Sequence, residues 1–140
     1  MNHIITTVWK KNLQFESNNP SGHTVLMDTS VENGGQNSGL APKAMMLSSL
    51  AGCSGLDVIS VLNKMKVQVD DFKIITTGEL TDEHPKYYHS AHVVYQFFGK
   101  NLPQDKLKKA VDLSVEKYCG VMEMFRRFAE VTIEIQYLDS

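Results

Sequence analysis

Residues 39–67 read GLAPKAMMLSSLAGCSGLDVISVLNKMKV, and the fold turns on this stretch. Loop residues lead to Pro42, which the first turn of a helix tolerates because the N–H it lacks would have no partner there. No further proline follows before Val67, so the stretch predicts one long helix. Leu47, Leu50, Ala51, Ser54, Val58, Val61, Leu62 and Met65 recur at three- and four-residue steps as an apolar stripe. Met46, Cys53, Leu56 and Ile59 occupy the other side, so the helix is expected to be buried nearly all round. Gly52 and Gly55 each weaken a helix by roughly 1 kcal/mol relative to alanine, which implies a close neighbour, and Cys53 lies between them.

Working outward, the β-branched run from His3 to Trp9 predicts a strand, with LQFES as its partner across a Lys10-Lys11-Asn12 turn. A turn at Asn18–Gly22 leads to HTVLMDTS, a short third strand, and then to the loop ENGGQNSGLAP. That loop has no GK[ST], so its glycines do not make a phosphate loop. Ser38 or Asn37 is placed to cap the helix that follows. Beyond it, DDFKIITTGEL and HSAHVVYQFFG read as an antiparallel strand pair joined by the turn TDEHPKYY.

A second helix starts at Asn101 or Gln104, with Pro103 near its first turn. Its apolar stripe is Leu107, Ala110, Val111, Ser114, Tyr118, Val121, Met122 and Phe125. AEVTIEIQYLD alternates as a half-buried terminal strand. The order predicts a single α+β domain over residues 1–140, with mainly antiparallel pairing. One small domain cannot cover a helix apolar on every side, so a second copy across a two-fold axis is expected to complete the burial.

A net charge of −2, with Arg126 and Arg127 the only arginines, argues against nucleic-acid binding, which needs a clustered cationic surface. No secretory leader pattern and no run of membrane-spanning length is read, so a cytoplasmic chain with no membrane partner is expected. Cys53 and Cys119 fit neither a disulfide-dense framework nor a zinc spacing, which leaves two buried thiols or a redox couple. His89 and His92 are three apart on a strand and point to opposite faces, so no metal site is expected, and no cofactor is implied.

The run PKAMMLSSLAGCSGLD from Pro42 to Asp57, together with SVEKYCGVM around Cys119, resembles the OsmC/Ohr family of organic hydroperoxide reductases, closest to a less characterised OsmC-like branch. The resemblance spans the whole chain. It implies an intertwined homodimer whose antiparallel sheets enclose two central helices. It also implies catalysis by Cys53, whose thiolate attacks the peroxide and becomes a sulfenic acid, and by Cys119, which condenses with it to a disulfide. An external dithiol would reopen that bond, and the substrate would be a small organic hydroperoxide, as in oxidative stress defence.

The sequence departs from the family where its peroxidases activate the thiol. Lys43 follows Pro42 in place of the family's glutamate, and no arginine precedes Arg126, leaving Lys10 or Lys11 as the cations that would have to substitute. Asp57, one turn beyond Cys53, opposes ionisation of the thiol if it faces it. Glu116 and Glu123 near Cys119 read as surface charges. The departures leave a second function open: the same fold without peroxidase activity, binding a small apolar or thiol ligand in the dimer pocket.

Overall fold

Lys11 and Asn12 both adopt left-handed backbone angles, with φ of 85° and 55°. The turn they form sets β1 (Thr7–Trp9) antiparallel to β2 (Phe15–Asn18), and β3 (Thr24–Met27) pairs antiparallel with the other edge of β2. This three-stranded sheet belongs to the first of two compact units, Met1–Met46 and Leu47–Ser140, in a computed structural model that describes residues 1–140.

In the first unit the loop after β3 is gathered around Asp28, which is only 3% exposed. Its Oδ1 accepts from the Thr29 N–H at 2.7 Å, and its Oδ2 accepts from the Gln36 N–H at 3.2 Å and the Ser38 N–H at 3.1 Å. The Ser38 hydroxyl donates to the same Oδ2 at 2.6 Å. Ser38, expected to be free to cap the long helix, is therefore committed to Asp28.

Helix α1 (Pro42–Met65) runs unbroken over the predicted span. In the second unit β4 (Asp71–Leu80) pairs antiparallel with β5 (Tyr88–Phe98), as the sequence predicts. β6 (Glu130–Leu138) pairs with the other edge of β5, from Ser90↔Glu130 to Phe98↔Leu138, and runs parallel to it. The α+β class holds, but the pairing is mixed: the helical segment between β5 and β6 acts as a crossover, the connection that a parallel pair requires.

That helical segment is not one helix. It divides into α2 (Gln104–Leu113), a π-helical turn (Ser114–Tyr118) and α3 (Gly120–Arg126), with Cys119 extended between the last two at φ −78°, ψ 103°. The break shifts the phase of the predicted stripe, and Tyr118, read as buried, is 52% exposed.

The core of this unit joins Leu50, Val58 and Leu62 of α1 to Val93, Tyr95 and Phe97 of β5. Leu107 and Val111 of α2 and Met122 and Phe125 of α3 complete it. α1 buries only the stripe Leu50, Ser54, Val58 and Leu62, while Leu56 is 76% exposed and Ile59 39%. All-round burial is therefore not achieved within one chain. Of the two glycines, Gly55 is closely approached, since a Cβ there would lie 3.1 Å from Ile74 Cδ1, whereas Gly52 has nothing within 4 Å. Contrary to the sequence reading, α1 has the length and apolar composition of a membrane-spanning helix. Its stripe Leu50, Val58 and Leu62 is part of the core of the second unit.

The hydrogen bonds to Asp28, that from the Ser38 hydroxyl foremost, lower its pKa from 3.8 to about 2. A carboxyl depressed by folding contributes stability that is complete above its unfolded pKa and is lost as the pH falls through the folded value. Thermal unfolding measured across pH 5 to 2 should therefore show a falling Tm below about pH 4, and a shallower fall in Asp28→Asn. Parallel curves for the two proteins would show that Asp28 does not carry this acid sensitivity.

Candidate functional site

Helical spacing puts Cys53 and Asp57 one turn apart on one face of α1, with Ser54 turned to the core face beside Leu50 and Val58. Strand alternation on β5 turns Tyr95 inward with Val93 and Phe97. The π turn supplies Ser114 at its start and delivers Cys119 at its end, where the Cys119 N–H donates to the Ser114 carbonyl at 2.9 Å. π-helical turns are frequent at functional sites.

Ser54, Ser114 and Tyr95 are each fully buried, and their hydroxyls form a chain. Ser54 Oγ lies 2.6 Å from Tyr95 Oη and 2.7 Å from Ser114 Oγ, and the Ser114 hydroxyl donates to Asp57 Oδ2 at 3.0 Å. Each hydroxyl has one proton and a carboxylate only accepts, so the direction follows from the end. Ser114 gives its proton to Asp57, with the Ser54 carbonyl a second acceptor at 3.3 Å, and since neither can donate back, Ser54 donates to Ser114 and Tyr95 donates to Ser54. Burial pushes the Tyr95 hydroxyl up to about 12, against the smaller lowering effect of its bond with Ser54.

The Cys53 and Cys119 sulfurs and a carboxylate oxygen of Asp57 all lie within 4.8 Å of one another. Both cysteines are reduced; Cys53 is half-buried and Cys119 is 4% exposed. The Cys119 thiol is raised to about 11, first by burial, then by its hydrogen bond with Cys53 and the nearby Cys53 and Asp57 charges. The one opposing influence is the Met122 N–H, which donates to Cys119 Sγ at 3.3 Å across the first turn of α3. Cys119 thus caps α3 with its sulfur, a place the sequence did not give it. The three donors are one fewer than a closed zinc site uses.

Lys11 Nζ sits 4.6 Å over the Trp9 ring in the first unit. Glu123 pairs with Arg126 at 3.3 Å and Arg127 at 3.2 Å on the surface, as read from the sequence. His89 meets Glu79 at 3.4 Å, while His92 meets Thr132 at 2.6 Å and Glu134 at 3.2 Å, so the two histidines have separate partners.

Sequence reasoning missed Ser54, Ser114 and Tyr95, and saw Asp57 only as an obstacle to ionisation. The available signal was two serines inside stripes that are otherwise apolar, because a buried hydroxyl needs a partner.

Removing the middle of the chain should cost more than removing its end. In urea unfolding, Ser54→Ala should lose about 1–3 kcal/mol, because it orphans the Tyr95 proton and an acceptor on Ser114. Tyr95→Phe should lose about 1 kcal/mol. Equal losses would show that the hydroxyls do not act as one chain.

The family model for OsmC-like proteins matches residues 35–134. Protein YhfA of Escherichia coli K12 is 34% identical over 124 residues, covering 89% of this chain and 90% of that one. Among solved structures, a hypothetical protein from Aquifex aeolicus has a TM-score of 0.85 at 28% identity, covering 100% of this chain and 98% of that one. An organic hydroperoxide resistance protein from Legionella pneumophila has a TM-score of 0.68 at 17% identity, covering 97% of each, a likeness of fold alone. The span of the family match and the 34% identity to YhfA over most of both chains establish that the protein belongs to the OsmC-like family.

Proposed function

We propose that the protein is a cytoplasmic thiol peroxidase that reduces small organic hydroperoxides in defence against oxidative stress, working as a homodimer with residues 1–140 as one domain. The observation that carries this reading is a pair of reduced thiols whose sulfurs lie within 4.8 Å, one half-exposed and one buried. That inequality supports a division of roles. Cys53 meets the peroxide: its thiolate attacks the O–O bond, takes one oxygen as a sulfenic acid and releases the alcohol. Cys119, shielded from solvent, then displaces that oxygen as water and closes a disulfide before further oxidation occurs. An external dithiol reduces the disulfide by exchange. These steps require no cofactor.

Family membership and the fold shared with a hydroperoxide resistance protein support the same chemistry. The dimer is supported by the uncovered side of α1, where Leu56, Ile59 and Met46 are exposed. Large apolar side chains grouped on one helix face are characteristic of protein interfaces.

Reduced protein mixed with one equivalent of cumene hydroperoxide should lose both free thiols and gain one intramolecular disulfide, and Cys53→Ser should keep its remaining thiol. Two thiols persisting in the folded protein after excess peroxide would eliminate the peroxidase reading. In sedimentation, the wild type should run at twice the 15.7 kDa chain mass, and Leu56→Glu should shift it toward one chain.

A further inference from the structure

We propose that Asp57 is the proton carrier of the resolving step, taking the Sγ proton of Cys119 and giving it to the hydroxide that leaves the sulfenic acid of Cys53. This rests on the peroxidase reading and supplies what that reading lacks.

The need follows from Cys119. It is 4% exposed and its thiol is pushed up to about 11, so near neutrality only about one molecule in ten thousand would carry the thiolate unaided. The leaving group has a matching problem, since hydroxide departs easily only as water. A base beside one sulfur and an acid beside the other would solve both, and one carboxyl group within reach of both sulfurs can be each in turn. Asp57 has a carboxylate oxygen within 4.8 Å of both Cys53 Sγ and Cys119 Sγ.

The remaining ionisable groups at this place do not compete for the role. Tyr95, from β5, keeps its proton to about 12 and donates it to Ser54. Glu123, on α3, faces Arg126 and Arg127 in solvent. Asp57 is also held in position, because the Ser114 hydroxyl binds its Oδ2 at 3.0 Å while the Ser114 carbonyl binds the Cys119 N–H at 2.9 Å. One residue thus fixes the carboxylate relative to the thiol it is to deprotonate.

The step balances. The Cys119 S–H proton moves to Asp57, the thiolate attacks the Cys53 sulfur, and the S–S bond forms as the S–O bond breaks. The departing hydroxide takes the proton back from Asp57, giving one disulfide and one water.

The test is single-turnover oxidation of Asp57→Asn, with dimedone trapping the sulfenic acid and mass spectrometry counting the disulfide. The variant should form sulfenic acid at Cys53 as the wild type does but convert it to disulfide about a hundredfold more slowly, so that the dimedone adduct accumulates. Between pH 6.5 and 8.5 its resolving rate should climb about tenfold per unit, following the thiol, while the wild-type rate stays flatter. Asp57→Glu should recover part of the rate. If Asp57→Asn does not fold, Ser114→Ala, which keeps the carboxylate but loses its anchor, should resolve more slowly with the wild-type pH profile.

A wild-type rate in Asp57→Asn, or a slower rate with an unchanged pH profile, would overturn the proposal while leaving the peroxidase reading intact. A wild-type protein that forms neither sulfenic acid nor disulfide would sink both.

Discussion

The site depends on Ser114 bonding in two directions at once. Its hydroxyl holds Asp57 on α1 and its carbonyl holds the backbone of Cys119, so a single fully buried residue fixes the separation between the carboxylate and the buried thiol. The hydrogen bonds behind it, Ser54 to Ser114 and Tyr95 to Ser54, extend that constraint into the central strand β5. Each such bond adds only about 0.5–1.5 kcal/mol net, yet leaving one of its groups unpaired costs about 1–3 kcal/mol. The chain therefore contributes less to stability than to excluding other arrangements of α1 against the π turn.

That turn gives Cys119 its place. In a continuous helix the residues after Leu113 would carry on the pattern of α2, and the Cys119 N–H would bond four residues back. The π turn lengthens that step to Ser114, five residues back, and leaves Cys119 in extended backbone with its sulfur accepting from Met122. The sulfur is thereby aimed back toward α1, where Cys53 lies one turn from Asp57. Burial follows from the same geometry and sets the difference between the two thiols: Cys53 is half-buried and Cys119 is enclosed, the contrast on which the proposed roles rest.

Much of the fold was legible because periodicity reports which side of an element is covered. The period of α1, the alternation of β6 and the strand signal of β5 each survive in the structure with small shifts of boundary. The direction of β6 was not legible, since a strand reads the same whether it joins β5 parallel or antiparallel. Which edge of β5 remained open is a property of the assembled sheet. The break at Cys119 was hidden for a related reason: α2 and α3 each keep a helical apolar pattern, and inserting one residue between two such patterns leaves both intact. At the site, the cysteines stood out as a rare residue type. Ser54 and Ser114 vanished into stripes where their small size suits close packing, and only the folded structure shows that each hydroxyl faces another.

The charge balance at the sulfurs explains why an acidic neighbour, which reads as an obstacle in the sequence, suits the resolving step of the proposed mechanism. Releasing the Cys119 proton to solvent would set a thiolate within 4.8 Å of the Asp57 carboxylate. Burial is the main cost of that thiolate, and the Asp57 charge adds a smaller repulsion to it. Passing the proton to Asp57 avoids that repulsion, because one negative charge is exchanged for another and the net charge of the site is unchanged. The family's glutamate and arginine act on the attacking thiol through opposite charges held together. With Lys43 in the glutamate's position and no arginine before Arg126, this chain has no such pair. On the proposed mechanism, a carboxylate shared between two sulfurs is a different solution, in which the proton moves over a short path at constant charge instead of being driven off by a cation.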